Sequence, residues 1–118
     1  MNKKMEGLTK ETEAANYLSE QGYQVLTRNY RCKLGEIDII ARESGYLVFI
    51  EVKYRTSVEM GLPEEAITIL KQRRITNTAK YYLHVNRLSE NTPCRFDVVV
   101  ILKKEIRLIK HAFDAYGS

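Results

Sequence analysis

The chain has 118 residues, 44% hydrophobic and 29% charged, with a formal net charge of +4; this fits one globular domain over residues 1–118 and argues against disorder. No apolar run approaches the ~20 residues that span a bilayer, and no apolar segment follows the basic start Met1–Gly7, so neither a membrane span nor a signal peptide is expected. Cys32 and Cys94 form no metal-spaced pair and no disulfide framework, and read as free thiols of a cytoplasmic protein.

Thr9 to Gln21 reads as a helix, with Thr9 as N-cap and Gly22 as its stop. On that helix Glu11 shares a face with Ala14, Ala15 and Leu18. Alone it would be a stripe-edge residue reaching water. Tyr23 to Tyr30 reads as a strand. Two apolar runs follow, Ile37-Asp38-Ile39-Ile40-Ala41 and Leu47-Val48-Phe49-Ile50-Glu51-Val52-Lys53, joined across the turn signal Ser44-Gly45. Thr56 to Leu62 reads as a loop. A second helix is expected from Pro63, with Glu64 and Glu65 at its positive end, to about Val85. Asn86 to Pro93 is a polar loop. Phe96 to Leu102, apolar on both faces, reads as a buried central strand, and Lys103-Lys104 turns the chain into a short strand over Ile106–Ile109. The order is αβββαβ plus a final β element. The strand, long helix and buried strand predict a crossover, hence an α/β fold with a mixed central sheet flanked by helices.

Charge inside the two apolar runs is the chemical signal. Burying an unpaired charge costs several kcal/mol, so Asp38, Glu51 and Lys53 need a partner, a metal or a task. With Ser44-Gly45 as the loop, Glu43 pairs with Tyr46, which places Asp38 opposite Glu51 and Glu36 opposite Lys53. These four residues would share one face, and a one-residue slip would separate them. Glu11 then becomes a credible third acid facing the sheet.

Other residues carry two readings. Lys71 sits in the stripe Ile67, Lys71, Ile75, Thr78, Tyr82; it either snorkels to water along its own stem or aims its charge at a phosphate or the acidic cluster. Asp97, within an apolar strand, reads first as a structural ion pair with Arg95 or a neighbouring arginine, and second as an accessory group at the edge of the site. Arg28, Arg31, Lys33, Arg55, Arg73, Arg74 and Lys80 would line a phosphate track or stand as ordinary solvated charge. Tyr30 and Tyr54 are placed to stack on a base or sugar. Tyr17, Tyr23, Tyr81, Tyr82, Phe49 and Phe96 read as packing. His84 and His111 are isolated, Gly35 reads as permitting the turn before Glu36, and no Gly-rich phosphate loop is present.

Asp38, followed after twelve residues by Glu51-Val52-Lys53, resembles the PD-(D/E)xK nuclease signature, with Ile37 in the place of its proline. A wider set, Gly7, Glu11, Ala14, Tyr17-Leu18, Gly22-Tyr23, Arg28-Asn29, Gly35-Glu36-Ile37-Asp38, Val48 to Lys53, Arg55, Gly61, Lys71 and Arg95 to Val99, resembles the YraN-like family of uncharacterised bacterial proteins. That family is placed in the restriction-endonuclease-like superfamily, beside archaeal Holliday-junction resolvases. The resemblance implies a three-layer αβββαβ core and a Mg²⁺-dependent endonuclease, with Mn²⁺ as a substitute, acting on branched or structured DNA. It makes Asp38 and Glu51 the metal-binding acids, Glu11 a further metal ligand from the first helix and Lys53 the motif lysine; Lys71, Arg55, Arg74 and Arg31 are expected on the nucleic acid from their charge. Glu36 and Asp97 would be accessory. Paired cuts on a junction would require a homodimer, for which the sequence carries no signature. The alternative is a catalytically silent nucleic-acid-binding module on the same fold.

Overall fold

The computed structural model describes residues 3–55 and 67–116. The elements are α1 (Lys3–Glu20), β1 (Gln24–Cys32), β2 (Gly35–Glu43), β3 (Tyr46–Arg55), α2 (Ile69–Val85), β4 (Cys94–Leu102) and β5 (Glu105–Phe113). Five strands form one mixed sheet in the order β1-β2-β3-β4-β5, parallel between β3 and β4 and antiparallel elsewhere.

Strand alternation divides the apolar side chains between two cores. On one face Ala14, Ala15 and Leu18 of α1 pack on Ile39, Ala41, Val48, Ile50, Val99 and Ile101. On the other, Ile75, Ala79 and Leu83 of α2 pack on Ile37, Ile40, Leu47, Phe49 and Phe96. The sheet is therefore sandwiched between its two helices, and β4 is apolar on both faces because both are covered.

Several boundaries differ from the sequence reading. α1 begins before Thr9, which lies inside the helix and is not its N-cap. Gly7 weakens a helix by about 1 kcal/mol but does not end one, and Lys3, Lys4, Met5 and Glu6 all favour it. α2 begins at Ile69, because Thr68 is extended (φ −66°, ψ 160°) and its Oγ1 accepts from Lys71 N at 3.1 Å. The loop expected over Thr56–Leu62, and the helix start expected at Pro63, Glu64 and Glu65, lie outside the described residues; so does Gly61. β5 runs four residues further than expected, to Phe113, whose ring stacks on Phe96 with centroids 5.0 Å apart.

Gly35 opens β2 at φ +151°, and a Cβ there would stand 3.0 Å from Thr78 Oγ1. Thr78 cannot yield freely, since its side chain is buried and donates to Arg74 O at 2.8 Å. Gly35→Ala should cost about 1–3 kcal/mol through strain and crowding, measurable as a lowered denaturation midpoint with unchanged slope.

Candidate functional site

The β2–β3 hairpin sets the site. Ser44 (φ 50°) and Gly45 (φ 82°) are both left-handed, the backbone a two-residue type I′ turn requires. Pairing runs from Glu43↔Tyr46 to Ile39↔Ile50. There the two strands part: β2 stays with β1 to Cys32↔Gly35, and β3 stays with β4 to Arg55↔Leu102. Asp38, Glu51 and Lys53 stand at this fork.

Asp38 occupies a reversal in its strand. Ile39 belongs to the α1 core and Ile37 to the α2 core, so the alternation breaks across Asp38. Between the pairs Arg28↔Ile39 and Tyr30↔Ile37, Asn29 of β1 has φ +54°. The break turns the Asp38 carboxylate into the gap, where its Oδ2 accepts from Val52 N at 2.8 Å. The side chain thus bridges the strands one step beyond the last backbone pair.

Glu51 and Lys53 follow Leu47 and Phe49 onto the α2 face. Glu51 is buried, and its Oε1 lies 3.3 Å from Lys53 Nζ and 2.9 Å from Lys71 Nζ. Lys71, left open between water and the acids, reaches the acids: its charge comes in from the first turn of α2. From the opposite face α1 brings Glu11, whose side chain is 9% exposed and whose Oε1 lies 3.4 Å from Arg28 Nε. Arg28 also donates to Thr12 Oγ1 at 2.8 Å.

The electrostatics follow from burial and like charge. Desolvation, and then the Glu51 carboxylate, push Asp38 up to about 7; the Val52 N–H and Lys71 oppose them and Glu11 adds to them. Burial also raises Glu11 above its ordinary value, against the pull of Arg28. Burial works to strip the proton from Lys71, but the hydrogen bond and charge of Glu51 outweigh it and hold the ammonium above its usual range.

Not every expected residue joins this group. Glu36 does not face Lys53, because the β2–β3 ladder ends before reaching it; it is exposed and pairs with Arg31 at 3.1 Å. Asp97 is registered with Ile50, on the face away from Glu51. Fully buried, it takes two 2.9 Å bonds from Arg95 (Nε and Nη2), one from Tyr23 Oη at 2.7 Å and one from His111 N at 2.9 Å. The arginine pair expected for Asp97 is therefore present, away from the fork. Glu43 completes that cluster, accepting from Arg95 Nη2 at 2.7 Å, a partnership that only the tertiary fold reveals. Arg55 lies near the end of β3, and Arg74 is exposed on α2 beside Gly35. Tyr54 lies under the Lys10 ammonium at 4.9 Å. Tyr81, read as packing, is 41% exposed.

Among the described residues no three His, Cys, Asp or Glu side chains stand close enough to enclose an ion by themselves. Mg²⁺ does not need them to: it takes one or two carboxylates and completes its shell with water and phosphate oxygens. Asp38 and Glu51, converging and mutually repelling, fit that requirement; Glu11, held by Arg28, fits a more distant role.

Comparison with known proteins places the chain in a family. Residues 10–101 match the group described as Uncharacterised protein family UPF0102. The chain belongs to the UPF0102 family. A UPF0102 protein of Lachnoclostridium phytofermentans is 86% identical over 118 residues, covering all of both chains. One from Caldicellulosiruptor saccharolyticus is 46% identical, covering 96% of this chain and all of its own. One from Clostridioides difficile is 44% identical, again over 96% of this chain and all of its own. These UPF0102 names carry no activity, so function has to be argued from the fork. Among the described residues no helix is long and apolar enough to cross a membrane.

Proposed function

We propose that this protein is a metal-dependent endonuclease of the restriction-endonuclease-like PD-(D/E)xK class, hydrolysing phosphodiesters in branched or structured DNA. The observation that carries the reading is the meeting of Asp38, Glu51 and Lys53 where β2 and β3 part, with Lys71 and Glu11 closing in from α2 and α1.

Asp38 and Glu51 would hold Mg²⁺ or Mn²⁺. When bound, the ion polarises the phosphate and makes water a stronger nucleophile near neutral pH. The chain's own residues do the rest. The Val52 N–H fixes the Asp38 carboxylate in the gap. Lys53 orients the attacking water and balances the negative charge that develops on the phosphate. Lys71, beside the same Glu51 oxygen, offers a second ammonium for a phosphate oxygen. Glu11, held by Arg28, positions water on the α1 side of the fork. Arg31, Arg55 and Arg74 supply backbone contacts that read shape and phosphate rather than base sequence.

One observation favours a second reading, a binding module that does not cut: the Glu51 carboxylate already faces the ammonium groups of Lys53 and Lys71. The two readings separate on labelled four-way junction, flap and plain duplex incubated with Mg²⁺, Mn²⁺ or EDTA. The nuclease cuts in metal only and prefers one structure. The silent module binds with an affinity that falls steeply with salt and leaves every strand intact.

A further inference from the structure

Beyond the fork, a groove of about 570 Å³ opens between the end of β1, with Tyr30, Arg31, Cys32 and Lys33, and the last turns of α2, with Tyr81 and Val85. That volume falls in the ~300–1,000 Å³ range of sites that receive small molecules. The walls divide into two chemistries. Tyr81 (41% exposed) and Val85 (48% exposed) present apolar surface to the opening. Tyr30 is braced edge-on against Tyr82, with ring centroids 5.2 Å apart, so its ring is fixed. Lys33 stands exposed on the β1 side; Arg31 also borders the groove, but it alternates with Tyr30 along β1 and its guanidinium is engaged by Glu36.

The groove communicates with the fork. Arg31 pairs with Glu36 at 3.1 Å, and Glu36 lies two residues before Asp38 on β2. Ten residues of α2 separate Lys71 from Tyr81, about 15 Å along the helix axis. An aromatic floor with a cationic edge is the chemistry that takes a base by its face and its phosphate by charge. Paired bases in a duplex keep their faces stacked on each other, so the surface fits a base that has left the stack.

We infer that this groove is a subsite for one unpaired nucleotide, its base lying against Tyr81 and its phosphate held by Lys33. The inference rests on the fork being a nucleic-acid site and deepens it: the groove would make the protein prefer flaps, gaps and branch points over continuous duplex.

Tyr81 and Lys33 are exposed, so Tyr81→Ala and Lys33→Ala leave the fold intact. Affinity is measured for a flap and for a duplex of equal length, in EDTA so that no strand is cut. Wild type should bind the flap more tightly. Tyr81→Ala should lose roughly tenfold on the flap, the scale of one base–aromatic stack, and little on the duplex. Lys33→Ala should weaken flap binding and flatten its salt dependence. The thiol in the groove gives a second readout. In a Cys94→Ser background, a disulfide-activated tether on the unpaired base should form an adduct with Cys32, lost in Cys32→Ser. Equal flap and duplex binding by wild type and Tyr81→Ala, with no Cys32 adduct, overturns the inference and points to a protein occupant instead. Metal-dependent cutting that persists in that case leaves the fork reading standing. A Cys32 adduct without cutting in any metal sinks the nuclease reading and keeps the subsite.

Discussion

Asp38→Asn is expected to abolish cleavage while making the metal-free protein more stable at pH 8. The loss would come from removing one of the two carboxylates proposed to hold the ion. A few kcal/mol of transition-state stabilisation is at stake, or on the order of a thousandfold in rate. The gain in stability comes from the same carboxylate. Its group titrates at about 7 in the folded chain against an ordinary 3.8. Folding therefore favours the protonated form, whose benefit is whole below 3.8. It is lost as pH rises towards 7, and stability is lowest above that. A shift of this size corresponds to up to about 4 kcal/mol at pH 8. Asparagine carries no charge yet keeps an oxygen that can accept from Val52 N. Thermal denaturation at pH 4 should show wild type and Asp38→Asn together. At pH 8 the variant should melt at least about 4 °C higher. A variant that loses activity and stability together at pH 8 would mark Asp38 as a structural residue.

The second large effect lies away from the fork. Arg95→Met should be among the most destabilising single changes in the chain. It leaves Asp97, 0% exposed, with a buried charge that, among the described residues, Tyr23 Oη and His111 N then satisfy. It also strips Glu43 of its 2.7 Å partner; Glu43 is held down at about 2 by the Ser44 hydroxyl and then by Arg95. Breaking a buried pair on one side costs about 3–5 kcal/mol, a large share of the 5–15 kcal/mol that holds a typical domain together. Removing both charges, as Arg95→Met with Asp97→Leu, should recover part of the loss, because Asp97 is then no longer an unpaired buried ion, while Glu43 keeps Lys110 at 3.4 Å. Urea denaturation of the single and double variants checks this. A double variant weaker than the sum of its parts would show that the cluster stabilises beyond its ion pair.

The two clusters explain what was legible in the sequence. Ser44-Gly45 fixes a type I′ turn, and that turn fixes the register. The convergence of the charges inside Ile37–Ala41 and Leu47–Lys53 was therefore legible from the hairpin alone. The Arg95–Asp97 pair was legible because two residues apart on a strand share a face. Glu36 was misplaced opposite Lys53 because strict pairing was carried past Ile39↔Ile50. What ends the ladder is tertiary: β2 follows β1, β3 follows β4, and Asn29 takes a left-handed backbone opposite Asp38. The choice for Lys71 needed the position of α2 over the fork, which periodicity does not give. Tyr81 read as core because aromatic spacing was taken as packing, whereas α2 buries Ile75, Thr78, Ala79 and Leu83 and turns Tyr81 outward.

At the fork, Asp38 and Glu51 are proposed to hold a divalent cation. The direct measurement is a Mn²⁺ titration, followed by electron paramagnetic resonance, of the protein alone and bound to an uncleavable junction. Wild type, Asp38→Asn and Glu51→Gln are compared with a control, Lys110→Ala on β5, whose ammonium lies 3.4 Å from Glu43 in the cluster away from the fork. Mn²⁺ binding is expected in wild type and in Lys110→Ala, strengthened by DNA and lost in both fork variants. No bound ion in either state of wild type, or binding that survives both fork substitutions, would contradict it.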